Sequence, residues 1–378
     1  MNTTRDWIVN RCLKGRNLDL LRKSVNLRFW LYAALALSAC GPSPRPVPPL
    51  PPRDNASARL PDSPRAVWRE DVGSGATSGL EVRGSALFAT TTNRAVLALT
   101  IDNGRRYWLQ RFDGAITTGT AIAGNRLFFA TQHLNGAAHA LDAARGRKLW
   151  SRRIGPTRWK ALLIDDRVHF ATDQGRLYAL NAGDGTVAWQ TQVPGAIVTA
   201  PQLLNNEIVI TTSRDSIYRV ARMDGSILQR AGTPATASAP VELAGDTLLV
   251  PLHDGSAVAL HATTLAELFR VRLDAVPLAQ PMRVGDAFYL LSRNAVVWRV
   301  RGGQAERIAE LGGAARASLA TIQDHLIVGL LDGRVIALET SGTRRWEVQL
   351  PRSIVAPILG SGSALYVPLI NGEVWKLE

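Results

Sequence analysis

Eight times along this chain, at intervals of 38 to 42 residues, an apolar segment ends in a two-residue signature whose best copies read Ala-Leu. The first residues of these signatures are Ala98, Ala140, Ala179, Arg219, Ala259, Arg299, Ala337 and Lys376. A repeat of this length built from short strands is typical of a β-propeller, because one four-stranded blade cannot bury both faces without a neighbour on each side. The repeat therefore predicts an all-β fold, an eight-bladed β-propeller of four-stranded blades.

The clearest copies of the repeat continue through Gly to Trp at a fixed spacing, as in Ala98, Gly104 and Trp108. A Trp that stacks on a ligand or a quinone is one interpretation. We prefer a structural one, in which each ring packs between adjacent blades, because the Trp recurs once per blade whereas a ligand requires one site. The residues assigned to this structural position are Trp68, Trp108, Trp150, Trp189 and Trp346.

The two ends of the repeat region complement each other. The last copy, at Lys376, runs into the C-terminal residue Glu378, so its blade lacks an outer strand. Residues 66–70 contain Trp68 and read as an outer strand with nothing before it. We predict that this N-terminal strand closes the ring, since an open edge strand is a template for aggregation. Its partners in the eighth blade are the C-terminal segments near residues 355–359, 365–368 and 373–377.

The N-terminal segment has the pattern of an export signal. Residues 29–37 form an apolar run preceded by basic residues, and nine apolar residues are too few to span a bilayer. The following Leu37-Ser38-Ala39-Cys40 resembles the bacterial lipobox, which implies that Cys40 is acylated and becomes the mature N-terminus. An ordinary secretory signal followed by an accidental Cys is the alternative. Gly41 stands where inner-membrane retention signals carry Asp, so we expect an outer-membrane lipoprotein that faces the periplasm.

These observations divide the chain into three parts: a lipoprotein signal peptide over residues 1–39, a tether over 40–64 and the propeller over 65–378. The tether begins at the lipidated Cys40 and is rich in Pro, which favours an extended polyproline II conformation. The formal net charge of the whole chain is +13. Export removes nucleic acid as a partner, so the basic surface is expected to meet solvent, an anionic membrane leaflet or an acidic partner.

The sequence offers no constellation for catalysis. The six His residues show no metal-binding spacing, and there is no Gly-x-Ser-x-Gly elbow or Asp-x-Asp calcium loop. Cys12 lies in the segment predicted to be removed, so Cys40 is the one Cys of the mature chain. His139 and His261 occupy repeat-strand positions, and we interpret them as packing residues. We therefore expect no catalytic residue, no bound metal and no cofactor.

Two copies of the repeat carry a resemblance to a known family. The segments Tyr178-Ala-Leu-Asn-Ala-Gly-Asp-Gly-Thr-Val-Ala-Trp189 and Ala140-Leu-Asp-Ala-Ala-Arg-Gly-Arg-Lys-Leu-Trp150 resemble the quinoprotein-alcohol-dehydrogenase-like (PQQ-like) repeat. With a lipobox, eight blades and no further domain, the chain resembles the BamB family of lipoproteins of the outer-membrane β-barrel assembly (Bam) complex. That resemblance implies a non-catalytic scaffold, monomeric within a hetero-complex. It would bind the POTRA domains of BamA and other Bam subunits, and assist insertion of outer-membrane proteins.

The resemblance also implies where BamA docks. In the family, two consecutive inter-blade loops make the contact through a Leu-x-Leu-Arg and an Asp-x-Asp motif. The matching loops here are residues 193–201 and 232–240, in which the Arg and both Asp are absent. The candidate partner-binding residues in these loops are Ile197, Val198, Thr199 and Thr236.

A further candidate is Arg158-Trp159-Lys160 in the preceding inter-blade loop, because a Trp between two cations has the composition of an interface hot spot. The alternative is a Trp folded onto the rim of the propeller.

Two other function classes remain open at this stage. One is a periplasmic quinoprotein dehydrogenase that uses pyrroloquinoline quinone. Enzymes of that kind are longer, carry a vicinal Cys pair and hold calcium with carboxylates, and this chain has no vicinal Cys pair. The other is a divergent PQQ-like-repeat lipoprotein of the envelope that binds a different protein or a polysaccharide.

Overall fold

The computed structural model describes residues 46–48, 50, 60–73, 77–316 and 319–378, with backbone only at residues 77 and 78. The predicted signal peptide, the lipidation site Cys40 and most of the tether lie outside these residues. All regular secondary structure in the described chain is β-strand. The described residues accordingly contain no helix with the length and apolar character needed to cross a membrane.

Eight four-stranded antiparallel sheets make up the fold, and each sheet is one blade of the ring. The first strand of the chain, β1 (Ala66–Asp71), is set apart from the blades that follow it in sequence. The strands of each blade are given from the inner to the outer one. Blade 1 consists of β2 (Thr77–Arg83), β3 (Ala86–Thr91), β4 (Ala95–Thr100) and β5 (Arg106–Arg111), and blade 2 of β6 (Ala121–Ala123), β7 (Arg126–Ala130), β8 (Ala137–Asp142) and β9 (Lys148–Arg153). Blade 3 consists of β10 (Leu162–Ile164), β11 (Arg167–Ala171), β12 (Arg176–Asn181) and β13 (Val187–Gln192), and blade 4 of β14 (Gln202–Leu204), β15 (Glu207–Thr212), β16 (Ser216–Ala221) and β17 (Ile227–Gly232).

The second half of the ring repeats the same order. Blade 5 consists of β18 (Glu242–Ala244), β19 (Thr247–Pro251), β20 (Ser256–His261) and β21 (Glu267–Arg272), and blade 6 of β22 (Met282–Val284), β23 (Ala287–Leu291), β24 (Val296–Arg301) and β25 (Gln304–Glu310). Blade 7 consists of β26 (Ala320–Ile322), β27 (His325–Gly329), β28 (Arg334–Glu339) and β29 (Arg344–Gln349). Blade 8 consists of β30 (Leu359–Ser361), β31 (Ala364–Pro368) and β32 (Glu373–Leu377), and β1 completes it as the outer strand. The predicted eight-bladed propeller is therefore confirmed.

Closure of the ring by the N-terminal strand is also confirmed. Strand β1 pairs with β32, with Trp68 opposite Lys376, and Arg65 and Glu378 exchange backbone hydrogen bonds of 2.8 and 2.9 Å. The inner strand of blade 8 was predicted near residues 355–359, and that position is wrong, because β30 begins at Leu359. The preceding residues belong to the inter-blade loop, where Pro357 has no N–H to donate to a ladder.

The hydrophobic core is divided among the interfaces between blades. The described residues form eight buried clusters, and each cluster joins one pair of neighbouring blades. The cluster between blades 8 and 1 contains Tyr366 and Val374 from one side and Leu87 and Leu97 from the other. Since every blade is covered on both faces, strands such as β3 and β8 are buried along nearly their whole length.

The repeated Gly and Trp form one contact between successive blades. The indole N–H of Trp108 donates to the carbonyl of Ala143 in the next blade at 2.9 Å. Gly146 lies under the same ring with φ of +68°, and a Cβ there would be 2.5 Å from the indole. Trp68, Trp150 and Trp189 bond to the next blade in the same way, which explains the fixed spacing of the repeat.

In blade 4 the Trp is replaced, and the link between blades is kept by other chemistry. Gln229 donates its amide N–H to the carbonyl of Thr264 in blade 5. Opposite Gln229, the signature residue Arg219 bonds to it at 2.7 Å and pairs with Glu207 at 2.6 Å. The degenerate copy is therefore a polar version of the same junction.

Candidate functional site

The inter-blade loops and the turns between second and third strands lie together at one end of the ring, which we call the inter-blade face. Isolated β-bridges join the two sets, as between Ile197 and Thr212 and between Ala237 and Leu252. The remaining turns of each blade lie at the opposite end, because successive strands are antiparallel. The candidate partner-binding residues predicted from the sequence are all on the inter-blade face or at its border with the central channel.

The structure corrects the expectation that residues 197–199 present an apolar surface to a partner. Ile197 is 1% exposed and packs in the core between blades 3 and 4. Thr199 is 2% exposed, and its hydroxyl bonds to the hydroxyl of Thr211 at 2.8 Å. Val198 is half-buried and its backbone N–H bonds to Thr211 at 3.0 Å. The side chains of Ile197 and Thr199 are therefore part of the interior and are inaccessible to a partner.

The neighbouring loop, over residues 232–240, has a similar construction. Thr236 is half-buried, its hydroxyl bonds to the carboxylate of Asp215, and its carbonyl accepts the backbone N–H of His253 at 2.9 Å. Pro234 is exposed at the tip of the loop. Thr236 therefore holds the loop against the adjacent turns, and the exposed part of this loop includes Pro234.

Trp159 connects two loops that the sequence presents as separate candidates. Its indole N–H donates to the carbonyl of Ile197 at 2.9 Å, and the half-buried ring packs against the core between blades 3 and 4. This is the folded-back position, the alternative considered for Trp159. Arg158 and Lys160 on either side are exposed, with Arg158 paired to Asp173 at 2.7 Å and Lys160 to Glu81 at 3.2 Å.

These three residues line the mouth of the central channel. They contribute to a cavity of about 360 Å³ together with residues from blades 1 and 8, including Leu80 and Ile358. Apolar and cationic groups therefore meet at one accessible rim.

A second cavity of about 560 Å³ lies in the channel next to this rim. Its buried carboxylate, Glu81, is paired with Lys160 and with Arg83, whose guanidinium also donates to the carbonyl of Ile122 at 2.9 Å. Farther round, the amide of Gln280 donates to Glu242 at 2.8 Å, and burial raises the pKa of the Glu242 carboxyl. The channel charges named here are thus paired or hydrogen-bonded within the protein, an arrangement suited to holding strands in place.

The sequence analysis missed Glu81, Arg83 and Asp173. Glu81 and Arg83 alternate along β2, whose position facing the channel follows from the repeat, so the period of two was a usable signal. Asp173 could not be assigned to Arg158 from spacing, because the two meet only through the fold. The described residues contain no group of three His, Cys, Asp or Glu side chains arranged to hold a metal ion.

The fold and the repeat contacts define a class, the β-propellers of the PQQ-like-repeat type. Within that class the model of the family described as outer membrane protein assembly factor BamB matches residues 56–158 and 134–268. The chain belongs to this family.

Individual proteins give the same result. BamB of Yersinia pestis is 25% identical over 338 residues, which cover 79% of this chain and 75% of the relative. BamB of Moranella endobia is 26% identical over 204 residues. This match covers 49% of this chain and 49% of the relative, so the chain spans about half the length of that relative. The crystal structure of BamB from Moraxella catarrhalis superposes with a TM-score of 0.69 at 18% identity, covering 82% of this chain and 97% of the other, which shows the shared fold.

Proposed function

We propose that this chain is a non-catalytic scaffold lipoprotein of the Bam complex, which binds the POTRA region of BamA and assists insertion of outer-membrane proteins. Membership in a family named for outer membrane protein assembly supports this role. The observation that carries the proposed interface is the rim formed by Arg158, Trp159 and Lys160, where a hydrogen-bonded indole stands between two exposed cations.

The rim has the physical properties of a protein-binding surface. Trp159 is fixed by its bond to Ile197, so its ring loses little conformational freedom when a partner covers it. Trp and Arg are the residue types that dominate binding energy at interfaces. The interface is therefore centred on residues 158–160, with Val198 and Thr236 shaping the two loops beside it, and the buried Ile197 supports Trp159 from below.

The attachment of the chain to the outer membrane is part of the same proposal. Lipidation at Cys40 with more than one acyl chain gives stable anchoring, whereas a single chain binds reversibly. The described parts of the tether contact the end of the ring opposite to the inter-blade face. The backbone N–H of Val47 bonds to Ala144 at 2.8 Å, and the indole of Trp346 bonds to the carbonyl of Pro61 at 2.9 Å. This arrangement leaves the inter-blade face free for a periplasmic partner.

The test is capture of the purified POTRA domains of BamA by the full-length lipoprotein in detergent. Arg158→Glu should lower the affinity by about tenfold or more, because it repels Asp173 and reverses a charge at the rim. Arg145→Glu, which changes the same charge at an exposed turn on the opposite end, is the matched control and should bind normally. Equal affinity of the two variants would place the interface elsewhere. Oxidation of alcohols by the purified protein with pyrroloquinoline quinone and calcium would overturn the non-catalytic role.

A further inference from the structure

A groove lies between blades 1 and 2 on the inter-blade face. It has a volume of about 680 Å³ and is lined by the loop after β5, the turn between β7 and β8, and one face of β8 and β9. Phe112 and His139 are among its lining residues. None of the residues of the rim at positions 158–160 takes part in it.

Comparison with blade 3 shows which side chains can fill the corresponding space. In blade 2, Ala137 and His139 occupy the strand positions that Arg176 and Tyr178 occupy in blade 3, as the pairing of each strand with its outer neighbour shows. The Arg176 guanidinium lies 3.5 Å from the Tyr178 hydroxyl in blade 3. Blade 2 has shorter side chains at both positions and Ser151 opposite His139, so the equivalent space is empty.

His139 lies at the floor of the groove with unsatisfied hydrogen-bonding capacity. It is 8% exposed, its ring stacks on Phe129 with centroids 5.1 Å apart, and Phe112 lies 4.9 Å away. Within the described chain, neither ring nitrogen has a hydrogen-bond partner. Burial, followed by the nearby charge of Lys148, lowers the pKa of His139 to about 4, so the ring is neutral at pH 7 and carries one N–H. A buried donor without a partner is destabilising, and a ligand carboxylate in the groove would satisfy it.

Cations surround this floor. Arg111, Lys148 and Arg153 line the groove and are exposed, and none of them has an ion-pair partner among the described residues. Asp113 is the one carboxylate in the lining, so the groove has an excess of positive charge. At its lip, in the turn between β7 and β8, Leu134 is 88% exposed, the highest value among the exposed large apolar side chains described.

We propose that this groove binds an acidic peptide segment, with a Glu or Asp carboxylate over His139 and an adjacent apolar side chain against Leu134. The cations attract the carboxylate, and the His139 N–H, which is buried at the floor of the groove, donates to it once the ring turns toward the ligand. A singly charged carboxylate suits a groove that also contains Asp113. The exposed Leu134 favours a polypeptide, which can present an apolar group beside a charge, over a free inorganic anion.

The experiment measures binding of a fluorescein-labelled peptide, Gly-Glu-Leu-Glu-Leu-Glu-Gly, to the full-length lipoprotein in detergent by fluorescence anisotropy. A peptide with Gln in place of each Glu is the ligand control, and it should not bind. The double variant Ala137→Arg, His139→Tyr fills the groove with the side chains of blade 3 and should weaken binding by at least about tenfold. Arg147→Gln removes an exposed charge from the same blade outside the groove and should leave binding unchanged.

Two further readouts make the result decisive. The imidazole NMR signals of His139 should shift on addition of the Glu peptide, and the unfolding midpoint of the double variant should stay close to that of the parent, which shows that the loss is local. Equal binding of the Gln peptide would overturn the proposal. So would binding of phosphatidylglycerol vesicles that depends on Lys148 while the Glu peptide fails to bind, because the groove would then recognise a membrane surface. BamA is absent from every arm, so the outcome is independent of the proposed scaffold role.

Discussion

The closure strand offers the sharpest test of how this ring is stabilised, through the substitution Trp68→Ala. Trp68 belongs to β1, and its indole donates to the carbonyl of Ile101 in blade 1 at 2.9 Å. The ring packs 6.0 Å from the ring of Tyr366 in blade 8 and covers Gly104, where an added Cβ would lie 2.8 Å from it. One side chain therefore bridges the two blades that meet at the ends of the chain.

The expected loss in the free energy of unfolding follows from these contacts. Replacement of a core Trp by Ala typically costs about 3–5 kcal/mol, and Trp68 is half-buried, so we expect about 3 kcal/mol, at the lower end. Val67→Ala is the matched control, because Val67 lies at a register shift of the same strand, is 49% exposed and should cost less than about 0.5 kcal/mol. A loss of 3 kcal/mol corresponds to about a hundredfold change in the equilibrium between closed and open forms.

Amide hydrogen exchange followed by mass spectrometry is the appropriate assay, because it resolves the blades. Protection of β1 and β32 should fall by about a hundredfold in Trp68→Ala, while blade 4 on the far side of the ring keeps most of its protection. Urea denaturation gives the corresponding change in the free energy of unfolding. If Trp68→Ala and Val67→Ala had the same protection at β1 and β32, the indole would not hold the closure and the reasoning would be refuted.

Three other predictions follow from the same structure. Gly146→Ala should destabilise the chain by more than about 2 kcal/mol in urea denaturation, because φ is +68° and the new Cβ would be 2.5 Å from the indole of Trp108. The control Gly124→Ala has φ of +52° and open space around the new Cβ, so it should cost about 1 kcal/mol. Equal losses in the two variants would contradict the packing argument. Burial lowers the pKa values of His139 and His169 from 6.5 to about 4. Between pH 6.5 and about 4, the unfolded chain therefore binds more protons at these two residues than the folded chain does. Stability should therefore fall as the pH is lowered through this window, by about 3 kcal/mol per His, and replacing both by Leu should flatten the measured profile; an unchanged slope would contradict the assignment. Cys40→Ser should move the protein from the membrane to the soluble fraction on cell fractionation, and an unchanged distribution would contradict lipidation.

Most of the fold was predictable because one physical requirement recurs in every blade. The Trp that crosses to the next blade needs a Gly beneath it, as with Trp108 and Gly146, and that pair leaves a fixed spacing in the sequence. Closure by β1 was predictable for the same reason, since Trp68 marks an outer strand without its blade. The inner strand of blade 8 was misplaced because strands of three residues carry too little periodicity to distinguish them from the loop before them.

The candidate site was predicted less well, because loop position does not determine side-chain direction. Ile197 and Val198 are adjacent apolar residues in an inter-blade loop, and the sequence gives no reason to separate them. In the structure the backbone bridge to Thr212 turns Ile197 into the core between blades, while Val198 stays half-buried. Arg158 and Trp159 were identified by composition, yet their partners Asp173 and Ile197 come from other segments that only the tertiary fold brings near.

The repeat supplies a criterion that separates structural residues from candidates for function in this chain. A position that makes the same contact in most copies answers a requirement of the ring, and the position of Ile197 is one of these, because loops after other blades form the same bridge at Ala115, Ala237 and Ile354. Within the described residues, the loop over 154–161 lacks that bridge, and this is the loop that carries the rim with Trp159. The groove with His139 is likewise a place where blade 2 departs from blade 3. Since a departure from the repeat is not required for packing, it is where recognition can be built without loss of the fold.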